Sequence, residues 1–374
     1  MFSKKPLKIF VDGYLLNKEP QGTQTYIREL YKEVAKANTN FTFYLGIFYN
    51  EEIINHFLKH KNIKFIFFKH KSRLFRMIYE IPQLIKTNKF DFAHFQYVIP
   101  FVRNKNCKYI VTTHDILFIE FPKHFSFLYR LRRNFLFRYS AVKSDFLITV
   151  SNYSKQSLIK QYKIINKKIL ITPNGVSNVF LEAYNKEDAV KHIYNKYKIK
   201  KYILYISRVE PRKNQELLIK VFLKLKLYKL GYKLVLIGKN SIKNNDFENL
   251  LKSLKDDQRK NIHYFEEIKQ NDLMCFYRAA TIFVFPSKSE GFGIPPIEAG
   301  ALKIPVLCSN TTAMSDFEFF APYFVSPNNY KGFEKALNKL INNKDQLNLD
   351  IIQQTIKERY SWKNSAEVIT SIFK

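Results

Sequence analysis

A chain of 374 residues exceeds one comfortable hydrophobic core and points to two domains. Its 46% hydrophobic and 16% aromatic content argues against disorder, and the lack of any uncharged apolar run of about 18 residues argues against a membrane-spanning helix. A formal net charge of +30 selects polyanions as partners: nucleic acid, an anionic bilayer or phosphorylated small molecules.

The chain opens with "MFSKKPLKIFVDG", where basic residues run straight into a strand with no signal-peptide core, so a cytoplasmic location is expected. Short β-rich runs follow at 8–13, 41–48, 63–68, 90–97, 108–115, 145–151 and 167–175. Helical periodicity fills the gaps, as in "TQTYIRELYKEVAKA" with Tyr26, Leu30 and Val34 on one face. Strands this apolar, separated by helices, predict a parallel sheet covered on both sides. "TPNGVSNVFLEAYNKEDA" is then a hinge candidate, and the pattern restarts with strands at 202–208, 233–239, 261–267, 281–287 and 304–310. The helix after the first of these begins near Asn214. The fold class is therefore α/β: two facing doubly wound, Rossmann-like domains, 1–177 and 178–355, with a helical segment 356–374 able to pack back on the N-terminal domain. Cys107, Cys275 and Cys308 are odd in number and widely spaced, and read as buried small hydrophobes. Ligands of open α/β sheets bind beyond the carboxyl ends of strands, so chemistry is expected in an interdomain cleft lined by those ends.

The densest signal there is "PSKSEGFGIPPIEAGALKIPVLCSN", 286–310, which holds three of the ten glycines, two acids and two adjacent prolines. Pro295 and Pro296 suit the first turn of a helix, and Glu298 is expected in that turn. The N–H groups of Gly293 and Ile294 would then favour a phosphate. Glu290 and Glu298 can each accept paired hydrogen bonds from vicinal hydroxyls, which suggests a ribose and a sugar. In "SRVEPRKNQELL", Arg208 and Lys213 follow a strand and can neutralise a departing diphosphate. No D-x-D pair follows any strand, so no metal cofactor is expected. In "VTTHDILFIEFP", His114 and Asp115 end a strand, where a histidine can position or protonate a polar group. Gly22 opens a helix after the first strand, and Ser151 or Asn152 reads as an N-cap.

At these motifs the chain resembles the retaining GT-B glycosyltransferases usually called family 4. Glu290-GFGIPPI-Glu298 looks like the family's E-x7-E signature, and "LYISRVEPRKN", "LVLIGK", "TVSNYSKQSL" and "TPNGV" match family segments in order. "THDILFIEFP" and "EIPQLIKTNKFDFAHFQY" look most like bacterial mannosyl- and rhamnosyltransferases of polysaccharide assembly. The resemblance implies that Glu298 binds the nucleotide ribose and Glu290 the donor sugar, with Arg208 and Lys213 on the diphosphate beside the Phe292, Gly293 and Ile294 backbone. His114 would sit near the reacting carbon, and the Gly22 loop would close on phosphate. Gln24 stands where many members carry a second glycine, and Ser207 replaces the usual glycine before the arginine. Retention by front-face displacement is implied, with the leaving diphosphate accepting the acceptor's proton. A GDP-mannose donor is the lean from resemblance.

The acceptor signal is "FPKHFSFLYRLRRNFLFRYSAVK", 121–143, where Lys123, Arg130, Arg132, Arg133, Arg138 and Lys143 interleave with Phe125, Leu128, Leu131, Phe135 and Leu136 and no acid intervenes. Such a helix reads as a membrane-surface element, and "FKHKSRLFRMIY", 68–79, as a second patch. The expectation is a glycan or lipid-linked acceptor and peripheral attachment to the anionic inner face of the membrane. A nucleic-acid-binding protein would need a recognisable module, which is not seen. A nucleotide-sugar epimerase on the same plan is the nearer alternative.

Overall fold

The computed structural model describes residues 6–18, 21–37, 40–122, 125–164, 167–242, 244–343 and 347–374. The chain divides into two compact units, Met1–Gly175 with Tyr360–Lys374, and Val176–Arg359.

In the first unit seven parallel strands are described: β1 (Leu7–Asp12), β2 (Phe41–Ile47), β3 (Ile63–Phe67), β4 (Phe92–Gln96), β5 (Lys108–Thr112), β6 (Phe146–Thr149) and β7 (Ile169–Ile171). Their order is β3-β2-β1-β4-β5-β6-β7, so the winding reverses between β1 and β4, where Ile9 pairs with Phe92 and Val11 with His94. All five residues of β4 are buried, as expected for a central strand covered on both faces. The terminal helix Trp362–Phe373 packs on the helix Gly22–Ala37. The ring of Phe373 meets Phe41 at 5.5 Å and Phe92 at 5.2 Å between centroids. Burial of one such phenyl ring is worth about 2 to 3 kcal/mol, enough to hold a short terminal helix in place.

The second unit repeats the plan with β8 (Tyr202–Ile206), β9 (Lys233–Ile237), β10 (Ile262–Phe265), β11 (Ile282–Phe285), β12 (Val306–Ser309) and β13 (Phe324–Val325), in the order β10-β9-β8-β11-β12-β13 and parallel throughout. Here the reversal lies between β8 and β11. Twelve of the strands coincide with the runs read from sequence. The addition is β13, whose two residues are too few to carry any periodicity.

Two local expectations change. The helix in the 286–310 stretch spans Ile294–Ala301, with its prolines in the first turn, so Glu298 is its fifth residue and lies beyond that turn. Gly300 belongs to this helix. A Cβ on it would fall 2.6 Å from Ile356 Cδ1 and 3.0 Å from the Phe320 ring, so any larger residue here would have to displace both side chains. Cys107 and Cys308 are buried as expected, whereas Cys275 is only half-buried.

Candidate active site

The turns that leave β8 and β11 deliver the two most specific sequence segments to one place, beside the reversal point of the second sheet. After β8 the chain makes a short turn at Pro211–Lys213, and Asn214 takes a left-handed φ of 61°. Asparagine tolerates this conformation, and its Nδ2 donates to the carbonyls of Pro286 (3.1 Å) and Pro327 (3.3 Å), which fixes the turn against the loop after β11. Lys288 N donates to the Arg212 carbonyl at 2.8 Å.

Across this seam Lys213 Nζ donates to Glu290 Oε1 at 2.5 Å, and both residues are buried. Arg212 Nη1 reaches Glu290 Oε2 at 3.3 Å and donates to the Ser289 carbonyl at 2.8 Å, while its Nε meets Glu210 Oε2 at 2.8 Å. The backbone N–H of Glu290 donates to Thr312 Oγ1 at 2.9 Å. Burial alone would raise the Glu290 pKa. The charges of Lys213 and then Arg212, with hydrogen bonds from Lys213 and Ser287, hold it below the ordinary carboxylate value. The result is an ion-paired set of two acids and two cations, in which Glu210, Lys213 and Glu290 are buried and Arg212 is half-buried. Arg208 sits half-buried two residues past the end of β8, ahead of this turn, and its carbonyl accepts from Gln215 Nε2 at 2.8 Å.

Glu298 is held separately. Its Oε2 accepts from Tyr277 Oη at 2.8 Å, and burial pushes its pKa up to about 7, with the Tyr277 hydrogen bond pulling the other way. A carboxyl poised there gains most from ligand hydroxyls that favour its ionised form. An acid sitting in its own helix's first turn would explain Glu298 without any ligand, but its position in the helix removes that explanation. Gly293 caps the helix at a φ of +99°, and a Cβ would lie 2.9 Å from Met314 Cγ, so the loop reaches the helix only through glycine. Phe292 turns its ring inward, edge-on to Phe317 at 5.8 Å, and Ile294 is the first residue of the helix.

The first unit holds the remaining candidates. His114 lies just past β5 and is buried; its Nε2 donates to Gln96 Oε1 at 2.7 Å, which leaves Nδ1 as an acceptor. Burial first, and nearby His94 second, lower its pKa to about 3. It is therefore neutral at pH 7. A neutral imidazole held in this way can position a polar group. Tyr26 stands edge-on to the His114 ring at 4.8 Å and bonds Thr172 Oγ1 at 2.6 Å, tying the helix that begins at Gly22 to the same region. Gln24 is no mere substitute for glycine: its Nε2 donates to the carbonyls of Leu16 (2.8 Å) and Lys18 (3.2 Å) and so anchors the segment after β1. Ser151 caps the Asn152–Tyr162 helix by accepting from Ser154 N.

The basic helix spans Phe127–Lys143, and Lys123 lies outside the described residues. One face of it meets the core through Phe137 and Ala141, with Leu136 packed against that cluster, but other apolar side chains point outward: Leu128 is 76% exposed, Phe135 64% and Leu131 58%. Arg132 and Arg138 are exposed, Arg130 is half-buried, and Arg133 stacks on the ring of Tyr129 at 4.5 Å. In the 68–79 patch Leu74, Ile78 and Tyr79 are exposed as well, but Arg76 is buried over the ring of Tyr14 at 4.1 Å. No helix in the described residues is long and apolar enough to cross a membrane, and no group of three or more His, Cys, Asp or Glu able to hold a metal occurs among them.

The residues missed from sequence are Arg212, Glu210, Thr312 and Tyr277. The alternation of charge in "EPRK" was the available signal for the first two. Thr312 and Tyr277 come from distant segments and left none.

Residues 20–178 match the model of Glycosyltransferase Family 4, and residues 186–358 match that of Glycosyl transferases group 1. The O-antigen chain mannosyltransferase RfbU of Salmonella typhimurium strain LT2 is 27% identical over 244 residues, 65% of this chain and 63% of that protein. The O-antigen chain mannosyltransferase B of Escherichia coli is 25% identical over 232 residues, 61% and 60% of the two chains. The chain thus spans about three-fifths of the length of these curated relatives. A crystal structure of a glycosyltransferase from Rickettsia africae ESF-5 shares the fold, with a TM-score of 0.74 at 18% identity over 100% of this chain and 98% of that one. Two glycosyltransferase models thus match in succession along most of its length, and the chain is a transferase of the group 1/family 4 type, with the GT-B fold of the solved glycosyltransferase.

Proposed function

We propose that the protein transfers a hexose from a nucleotide-diphosphate sugar to a glycan or lipid-linked acceptor, with retention, in the assembly of a bacterial surface polysaccharide. The observation that carries this reading is the meeting of buried Lys213 and Glu290 with half-buried Arg212 at the β8/β11 reversal, with Glu298 raised towards neutrality in the helix that follows. Glu290 receives hydroxyls of the donor sugar and Glu298 those of the ribose. Lys213 and Arg208 stabilise charge on the departing diphosphate, beside the backbone of Phe292, Gly293 and Ile294. Neutral His114 offers Nδ1 as a hydrogen-bond acceptor for a sugar hydroxyl, with Gly22 opening the loop that approaches phosphate. The second unit is the donor-binding one, the first the acceptor-binding one. GDP-mannose is the favoured donor, supported by the O-antigen mannosyltransferases among the relatives. A thermal-shift screen tests this: GDP-mannose and GDP should raise the melting temperature more than other nucleotides, since a ligand that binds only the folded state stabilises it. No shift with any nucleotide sugar would end the proposal.

The acceptor side is supported by the exposed apolar residues of the Phe127–Lys143 helix and its arginines, which suit peripheral attachment to an anionic membrane. The protein is expected to sediment with vesicles containing anionic lipid, to be released by salt, and to ignore neutral vesicles. Reversing Arg132 and Arg138 to glutamate should weaken that binding at least tenfold, taking about 1 kcal/mol for each basic residue near the surface. Equal binding to neutral and anionic vesicles would exclude the electrostatic contribution.

A further inference from the structure

Arg212 has no task in the transfer just described, yet it is the most connected side chain of the cluster. We infer that Arg212 is a positioning residue, which holds the Glu290 carboxylate in the orientation that receives the donor sugar. The inference rests on the proposed role of Glu290.

The geometry runs from the outside inwards. Glu210, itself buried, grips Arg212 through Nε at 2.8 Å. This fixes the guanidinium plane, so that Nη1 meets both the Ser289 carbonyl at 2.8 Å and Glu290 Oε2 at 3.3 Å. A planar fork with donors in fixed directions can set two neighbouring acceptors at once, which a lysine cannot. The Arg212 backbone closes the same joint: its carbonyl accepts from Lys288 N at 2.8 Å. Lys213 takes the other oxygen, Oε1. Each carboxylate oxygen thus has one cationic donor and keeps lone-pair capacity for a hydroxyl.

The arrangement also separates two tasks. Arg212 is shared between Glu210 and Glu290, whereas the Lys213 ammonium bonds Glu290, so a phosphate competes for Lys213 more readily than for the doubly held guanidinium. Arg212 therefore matters for the sugar and hardly at all for the nucleotide diphosphate, which is a distinction an experiment can read. The charged and titratable groups that face Glu290 are Lys213 and Arg212 from the turn after β8 and Tyr205 from β8 itself, with Glu210 behind Arg212. Ser287 and Thr312 add uncharged contacts. Removing Arg212 takes away one of the two cations that keep the Glu290 carboxyl ionised, so the acid should protonate at higher pH.

The test is calorimetric binding of GDP-mannose, UDP-glucose, GDP and UDP to the full chain and to Arg212→Ala, Arg212→Lys, Glu210→Gln and Glu290→Gln, at several pH values. For the donor that binds, Arg212→Ala should weaken the nucleotide sugar about tenfold, the usual effect of losing a charged hydrogen bond, and leave the matching diphosphate within about twofold. The loss of sugar affinity on acidification should begin at higher pH than in the unmodified protein. Arg212→Lys should recover part of the affinity, and Glu210→Gln should lose part of it. These two variants carry the test if Arg212→Ala does not fold. If Glu290→Gln discriminates against the sugar while all variants at 210 and 212 bind it normally, the positioning role is overturned and the function stands. If Glu290→Gln also binds normally, or if no nucleotide sugar binds at all, both fall. Equal loss of sugar and diphosphate affinity in Arg212→Ala would make the residue merely structural and would overturn the inference.

Discussion

Replacing Lys213 with alanine is expected to slow sugar transfer about 100-fold or more, the cost of losing one well-placed cation from a developing oxyanion site, roughly 3 kcal/mol. The same substitution cannot leave stability untouched. Lys213 Nζ lies 2.5 Å from Glu290 Oε1, and without it a buried carboxylate keeps Arg212 as its main countercharge. Breaking a fully buried pair costs about 3 to 5 kcal/mol, and the remaining arginine should hold the penalty to the lower part of that range or below it. Catalytic and structural losses would then be confounded, so the informative comparison is with Lys213→Ala/Glu290→Gln. In that pair of changes the orphaned charge is gone, and melting temperature should recover while turnover does not. Arg208→Ala should show a similar rate loss with the fold intact. Turnover of purified Lys213→Ala within a few-fold of the parent at saturating donor would remove the lysine from the chemistry.

Much of this was visible in the chain before any coordinates. Parallel strands covered on both faces must be apolar along their whole length, so "YILYIS", "KLVLIG" and "TIFVFP" announced themselves, and the restart after the "TPNG" hinge divided them into two series. Lys213 and Glu290, 77 positions apart, were legible as partners only because both follow strands, and the ends of such strands gather where a doubly wound sheet reverses. What escaped was three-dimensional support. Nothing local to Arg212 reveals that Glu210 folds back on it while the 289–290 backbone arrives from β11. The packing partners of Gly300, Ile356 and Phe320, lie 56 and 20 positions later and leave no local trace. The state of His114 was equally hidden: a histidine after a strand suggests titration near neutrality, and only its burial against Gln96, Tyr26 and His94 makes it a fixed neutral acceptor.

Glu298 should give the second large effect, and one with opposite signs in function and stability. Its carboxyl titrates at about 7 in the folded protein against an ordinary value of 4.5, because burial penalises the charged form more than Tyr277 favours it. Between those two pH values the folded state binds a proton that the unfolded chain has released, so stability falls as pH rises through the window and levels off above it. The full shift would be worth about 3 kcal/mol, and partial exposure of the residue reduces this to roughly 2 kcal/mol. Glu298→Gln abolishes the titration and keeps an acceptor for Tyr277 Oη. The variant should melt higher than the parent at pH 8, by several degrees, and at about the same temperature at pH 5. Its affinity for a nucleoside diphosphate should nevertheless drop about 10- to 100-fold, as a charged acceptor for two ribose hydroxyls is exchanged for a neutral one. A destabilised, half-protonated acid retained where an amide would be more stable is what a ligand-binding position looks like when its stability is traded for recognition. Parallel melting curves at the two pH values, or unchanged nucleotide affinity, would show that Glu298 serves the fold alone.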